Sequence, residues 1–251
     1  MFYSKKLKKI KEINHCFFSK KNGFSKSIYK SLNCGRGSKD NRKNIQKNLS
    51  YVSKKMLLKK NNLILMNQTH STKVIEVKKK LWRFKQNDSD AIITSCKGLG
   101  LAVVTADCVP ILIYNATNKI IGCIHAGWRG AFSGIIKNTI KKIKKMNSKS
   151  KIYAAIGPCI GKNSYEVDLK FYKKFISKSS KNEVYFLKKN KDKKLFNLRK
   201  YVSDKLTELQ VKVDHVNHDT FKEKHNFFSY RRSCKLKQKD YGRCISVISL
   251  A

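Results

Sequence analysis

Residues 100–130 read GLAVVTADCVPILIYNATNKIIGCIHAGWRG, and this stretch limits what the chain can fold into. Three short apolar runs, residues 101–105, 111–114 and 120–124, are rich in β-branched side chains and bounded by turn-forming residues. That combination predicts buried strands. The polar residues fall at the run ends: Asp107 and Cys108 just before Pro110, and His125 directly after the third run. Rigid elements hold side chains better than loops do, so a thiol and an imidazole emerging from strand ends mark the floor of an active site.

Elements predicted elsewhere fit around that floor. A strand forms near His15, followed by turns through residue 37. Residues 40–60 are helical, with Ile45, Leu49, Val52 and Met56 on one face and Asp40 or Asn41 as cap. A strand at 63–66 runs into Asn67, Gln68, Thr69 and His70, and another strand follows at 74–77. Residues 78–89 make a charged connection to a strand at 92–94; the nearby Asp88 and Asp90 supply too few oxygens for a calcium loop. Residues 131–145 form a basic amphipathic helix with Phe132, Ile135, Ile136 and Ile140 inward, and a lysine-rich connection spans 141–151. A strand at 152–156 ends in the tight turn 157–161. Helices at 168–180 and 196–209, a lysine-rich loop or hairpin over 181–195 with a strand at 184–187, and strands at 211–216 and 244–250 complete the chain. Strands and helices mix without a strict βαβ period, repeat or linker, which predicts a single domain, residues 1–251, of the α/β (α+β) class.

The chain has 251 residues, 41% of them apolar, enough for a globular core, and a net charge of +41. Such a charge invites a nucleic-acid reading. However, most of the cations are lysines, and their runs are scattered over the whole length, as a lysine-biased coding background would leave them. Nucleic-acid binding is thus not the favoured expectation, although the charge would steer anionic substrates inward. No apolar run approaches the roughly 20 residues that span a bilayer. The basic N-terminus lacks a signal peptide's apolar segment, so a cytoplasmic protein without a membrane partner is expected. Eight cysteines occur without a CxxC pair, and Cys96, Cys123 and Cys244 lie in apolar runs as small core residues.

His70, Cys108 and His125 all sit at strand ends. Their wide spacing matches no local zinc-finger pattern, but two imidazoles and a thiolate make the three-ligand set of a catalytic zinc with one open position. Such an ion lowers the pKa of bound water to about 7. Asp107 and Gln68 are neighbours suited to orienting ligands. Three alternatives stay open on residues alone: buried structural side chains, a metal-free Cys108–His125 nucleophile and base, or copper on the same donors.

Further motifs carry a resemblance. NQTHSTKV (67–74), DAIIT (90–94), TADCVPILIY (105–114), HAGWRG (125–130), IGPCIG (156–161) with YEV (165–167), and FFSYRR (227–232) with GR (242–243) occur in one order. With SLNCGRGSKDN (31–41), the chain resembles the bacterial YfiH/PgeF-type family over nearly its whole length. That family is also called the multicopper polyphenol oxidase or laccase-domain family. The resemblance implies a four-layer α/β/β/α sandwich and zinc ligands at His70, Cys108 and His125. It also implies purine nucleoside phosphorylase activity on adenosine, inosine and 5′-methylthioadenosine, with adenosine deaminase activity. The copper-dependent phenol oxidation of the older name is disfavoured, since a multicopper site needs many histidines and this chain has six. Two departures stand out: Asn48-Leu49 where the family often has Asn-Arg, and Asp219-Thr220 where it commonly has Cys-Thr.

Phosphorolysis needs cationic donors for inorganic phosphate. Arg129 and the helix start behind it are the first candidates, and Arg231 and Arg232 the second, with structural ion pairing as the competing role. Gln68 is a further candidate for substrate contact. Asp107 is a candidate proton relay or a structural carboxylate, and Trp128 or Tyr230 stacks on a purine or packs in the core. Two other classes stay open: a basic nucleic-acid binder without chemistry, and a Cys108–His125 hydrolase.

Overall fold

The computed structural model describes residues 1–59, 61–78, 88–145 and 151–251. Its strands begin with β1 (Ile13–Phe17), β2 (Leu63–Leu65), β3 (Val74–Val77), β4 (Ala91–Thr94), β5 (Gly100–Thr105), β6 (Val109–Asn115) and β7 (Ile120–Ala126). They continue with β8 (Ile152–Ile156), β9 (Glu166–Asp168), β10 (Phe186–Lys188), β11 (Lys193–Phe196), β12 (Lys212–His215) and β13 (Cys244–Leu250). The helices are α1 (Arg42–Lys55), α2 (Trp128–Ser133), α3 (Ile135–Lys144), α4 (Leu169–Lys178), α5 (Leu198–Thr207) and α6 (Tyr230–Lys235).

Side chains along β6 and β7 alternate between two apolar layers. Ile111, Ile113, Ile120 and Ile124 enter one, and Leu112, Tyr114, Ile121 and Cys123 enter the other. Strands apolar on both faces need cover on both sides, and the architecture supplies it. They lie in the middle of a six-stranded sheet, β12-β8-β6-β7-β4-β3. Its first face packs on Ile136, Ile140 and Ile143 of α3 and Val202 and Leu206 of α5. Its second face packs on Leu101, Val103 and Ile248 of a four-stranded sheet, β1-β13-β5-β2. The outer face of that sheet buries Ala102, Ile245 and Val247 under Val52 and Met56, the latter at the end of α1. The result is the four-layer α/β/β/α order that the resemblance implied.

Two differences have local causes. The helix expected over 131–145 breaks at Gly134, whose φ of +106° lies in the left-handed region that favours glycine, so α2 and α3 meet there. The strand expected at 184–187 begins only at Phe186, after a 3-10 turn over Ser180–Tyr185. Most of the expected connections at 78–89 and 141–151 lies outside the described residues. Asn41, not Asp40, caps α1 by accepting the Lys43 amide at 2.8 Å. No helix among the described residues is long and apolar enough to cross a membrane.

The departure at Asn48-Leu49 is a packing feature. Asn48 is fully buried; it accepts the Phe24 amide at 2.8 Å and donates to Ser25 Oγ at 2.9 Å and the Asn33 carbonyl at 2.8 Å. It thereby fixes the segment leading to Arg36, while Leu49 joins the apolar layer under α1.

Candidate metal centre and active-site cleft

Register brings the three proposed ligands together. β6 and β7 pair antiparallel with Pro110 opposite His125, so Cys108, just before β6, lies beside the end of β7. β4 pairs with β7 through Ala91 and Ile124, placing Asp90 against His125. β3 runs parallel to β4 with Val74 beside Ala91, which brings the 70–73 segment to the same edge. Ligand atoms of His70, Cys108 and His125 consequently lie within 4.8 Å of one another, with Cys108 Sγ 3.9 Å from His70 Nε2. A tetrahedral ion bonded at about 2.0–2.3 Å to two nitrogens and one sulfur has donor–donor edges of about 3.3–3.6 Å, so the Cys108–His70 pair is near this spacing and the widest pair must draw in by up to about 1.5 Å.

Asp90 holds the arrangement. Its buried carboxylate accepts His125 Nδ1 at 2.7 Å, the His70 amide at 3.0 Å and the Ser71 hydroxyl at 2.7 Å. It also accepts the amide of Ser71. These bonds hold His70 at φ +59°, a conformation uncommon outside glycine. A proton on His125 Nδ1 leaves Nε2 as the free donor atom, the arrangement in which a carboxylate orients a metal-binding histidine. Burial raises the Asp90 pKa, but the hydrogen bonds from His125 and Ser71 outweigh it and hold the carboxyl at about 2.

The donor set fits a divalent ion. Burial pushes the Cys108 thiol up, yet His125 and then His70 outweigh it and bring it down to about 6. Burial disfavours a charged His125, yet Cys108 and Asp90 raise it to about 9. Between about pH 6 and 9 the metal-free centre thus holds thiolate and imidazolium, and a metal must displace the proton from His125. Metal binding should therefore release about one proton per ion at pH 7.5 and more below pH 6, where Cys108 is also protonated. Calorimetric titration in buffers of different ionisation enthalpy measures this; release of none at pH 7.5 contradicts it.

Gly127 supplies a second indication of fit. A Cβ there would stand 2.8 Å from His70 Cδ2 and 2.9 Å from Cys108 Sγ, so only glycine lets both side chains lie against the backbone. Gly127→Ala is expected to weaken metal binding by about tenfold or more while leaving the melting temperature within a few degrees. Metal titration of the folded variant checks it.

The centre opens into a cleft of about 940 Å³, a volume usual for a small-molecule site. Gln68, Arg36, Tyr241 and Arg243 line it beside the three ligands, and no Asp or Glu does so among the described residues. Gln68 donates to the Val104 carbonyl at 2.8 Å and accepts the Val104 amide at 2.9 Å, so its amide extends the β2–β5 pairing.

The other residues singled out in the sequence lie apart from the described lining of this cleft. Asp107 is buried; it accepts Thr220 Oγ1 at 2.7 Å and the Arg231 amide at 2.8 Å, tying the start of α6 to the β5–β6 connection. Burial raises its pKa, against the hydrogen bonds from Arg231 and Thr220. Its partner Thr220 is the residue of the Asp219-Thr220 pair that agrees with the family's Cys-Thr. Arg129 is exposed with its guanidinium 5.3 Å from the Trp128 ring, and Trp128 packs edge-on against Phe171 in the helical layer. Arg231 donates to the Glu166 carbonyl at 2.6 Å and lies over Tyr165. Arg232 donates to the carbonyls of Thr220, Phe221 and Phe227 and so clamps that turn. Tyr230 is exposed and packs on Tyr241.

Sequence reasoning gave no role to Arg36, Arg243 or Asp90. The signal for the two arginines was their glycine neighbours in GRG (35–37) and GR (242–243). A Cβ on Gly35 would meet Arg243 Cδ at 2.8 Å, so glycine there admits the arginine side chain.

With this fold and centre in view, the comparisons are specific. The family described as Multi-copper polyphenol oxidoreductase laccase matches residues 14–251, and the chain belongs to that family. A purine nucleoside phosphorylase of Rickettsia conorii is 36% identical over 192 residues, covering 76% of this chain and 79% of the relative. A purine nucleoside phosphorylase of Haemophilus influenzae is 31% identical over 241 residues, covering 95% and 94%. The crystal structure of a Bacillus licheniformis hypothetical protein YfiH superposes with a TM-score of 0.86 at 25% identity, covering 95% of this chain and 93% of that one.

Proposed function

We propose that the protein is a zinc-dependent purine nucleoside phosphorylase acting on adenosine, inosine and 5′-methylthioadenosine, with adenosine deamination as a second activity of the same site. The observation that carries this reading is the His70, Cys108 and His125 cluster opening into a cleft with two arginines and no described acidic wall. The names of the two bacterial relatives support the reaction. The deaminase half rests on the family likeness.

In phosphorolysis a phosphate oxygen bonds to C1′ of the ribose, the bond from C1′ to the purine breaks, and its electron pair leaves with the base, which takes up a proton. Arg36 and Arg243 are the cleft's cations and hold the phosphate, whose planar forks suit its oxygens. Gln68 fixes the cleft wall beside His70. Asp90 keeps His125 in the tautomer with Nε2 free, and Cys108 presents a thiolate. Zinc held by these three residues supplies Lewis acidity at the floor of the cleft.

We place zinc ahead of copper. Both suit these donors, but a multicopper assembly needs more histidines, and the others are engaged or located elsewhere. His15 accepts the Ser4 amide, His218 faces Glu223, His215 faces Ser203, and His225 lines an adjoining cleft. One observation favours a second reading: the lowered Cys108 and raised His125 are also the pair of a thiol hydrolase. Following free base, ribose 1-phosphate and inosine from adenosine, with and without phosphate and with and without a chelator, separates the two. Phosphate-dependent base release that a chelator stops supports the phosphorylase. Chelator-resistant activity that an alkylating agent abolishes supports the hydrolase.

A further inference from the structure

A second cleft, of about 580 Å³, is built from two distant stretches of chain, residues 20–31 and 224–242. Its walls are stitched by backbone hydrogen bonds. The Lys20 amide donates to the Asn226 carbonyl at 2.7 Å, and the Lys20 carbonyl accepts the Ser31 and Leu32 amides at 3.0 and 2.8 Å. Lys20, Lys21, Lys30 and Lys224 line it together with His225 and Arg232. Among the described residues no Asp or Glu lines it and none of these four lysines forms an ion pair.

Lysines are spread over the whole surface, so their number alone selects nothing. This cleft differs in two ways. Lys20 is half-buried, with its ammonium 5.5 Å from the Phe228 ring. Burial first, then Arg232 and to a lesser extent Lys30, push that ammonium below its ordinary pKa, against an opposing effect of Cys244. The Arg232 guanidinium is occupied by carbonyls, so the free donors are compact ammonium groups. Such ammonium groups bind phosphate as point charges, and several of them together suit a multiply charged anion. Ile28 and Leu236, both exposed, lie on the same cleft.

We propose that this cleft is a binding site for a di- or triphosphate anion, held by Lys20, Lys30 and Lys224; it adjoins the metal-centre cleft, with which it shares Tyr241, but draws on different cations. The anion is either free polyphosphate or the charged end of an organic diphosphate whose carbon part rests on Ile28 and Leu236. The inference does not depend on the phosphorylase reading, because it uses none of the residues proposed for that reaction.

Titrating the full chain with inorganic tripolyphosphate at 0.15 M salt, by calorimetry, tests it. The K20Q/K30Q variant should bind at least about tenfold more weakly. The charge-matched variant K188Q/K191Q, altered at exposed lysines elsewhere, should change by less than about twofold. Melting curves identify any unfolded variant, and Lys224→Gln then serves in place of the double variant. Equal weakening in both double variants, or no binding by the unaltered chain, overturns the proposal. Repeating the titration with a short alkyl diphosphate distinguishes the sources. Tighter binding that Leu236→Ser removes identifies an organic ligand, and weaker binding than tripolyphosphate identifies the free anion.

Discussion

Cys108→Ala should lose both the bound metal and phosphorolysis. Removing one of three donors leaves two imidazoles and water, and the loss should exceed the about 10–100-fold that an outer hydrogen-bond partner costs. The fold should survive, because Cys108 is only half-buried at a strand end and the core strands on either side are unchanged. A Cys–His hydrolase would also fail in this variant, so His70→Ala is its companion. His70 is exposed, and in a hydrolase whose base is His125 it has no part in the chemistry. The metal account predicts that His70→Ala loses metal and activity together. Metal content and base release measured on the two folded variants decide between the readings.

Asp90→Asn should give the second large effect, through positioning rather than ligation. The carboxylate is fully buried and joins the backbone at His70 and Ser71 to the His125 ring. An amide accepts fewer of these bonds and no longer stabilises a charged partner, so metal affinity should fall by about 10–100-fold. Stability should change with a defined pH dependence. The folded pKa of about 2 lies below the ordinary carboxyl value of 3.8, so ionised Asp90 stabilises the native state above pH 4. That contribution, about 2 kcal/mol, is lost as pH falls from about 4 towards 2. Denaturant unfolding of the metal-free protein at pH 6 and pH 2.5 should show the wild type losing this advantage over the variant. An equal gap at both pH values contradicts the assignment.

The parts legible in the sequence are those where local pattern and burial agree. β-branched runs bounded by turn residues gave β5, β6 and β7, and polar residues at their ends pointed to Cys108 and His125. β9 was not legible, and β11 only as the second arm of the hairpin alternative over 181–195, since a strand such as KKLF at 193–196 is formed by pairing with its neighbours rather than by its own composition. The break at Gly134 was masked by an apolar period that continues across it. Among the site residues, Asp90 read as half of an acidic pair because its partners, His125 and the His70 amide, come from distant segments. The arginines show the same limit. Arg129, Arg231 and Arg232 stood in conspicuous motifs, whereas Arg36 and Arg243 reach the cleft only through the packing of two glycine-flanked turns. Asp107 sits beside a ligand in sequence, but successive residues leaving a strand point to opposite sides, and its partners are Thr220 and Arg231.

The central claim is that His70, Cys108 and His125 hold one catalytic zinc. Metal analysis of the chain purified without added metal, combined with base release from inosine in phosphate before and after chelation, tests it most directly. The account predicts close to one zinc per chain, phosphate-dependent release of hypoxanthine, loss of that release on chelation, and recovery when zinc returns. A metal-free preparation that releases base at the full rate would contradict it.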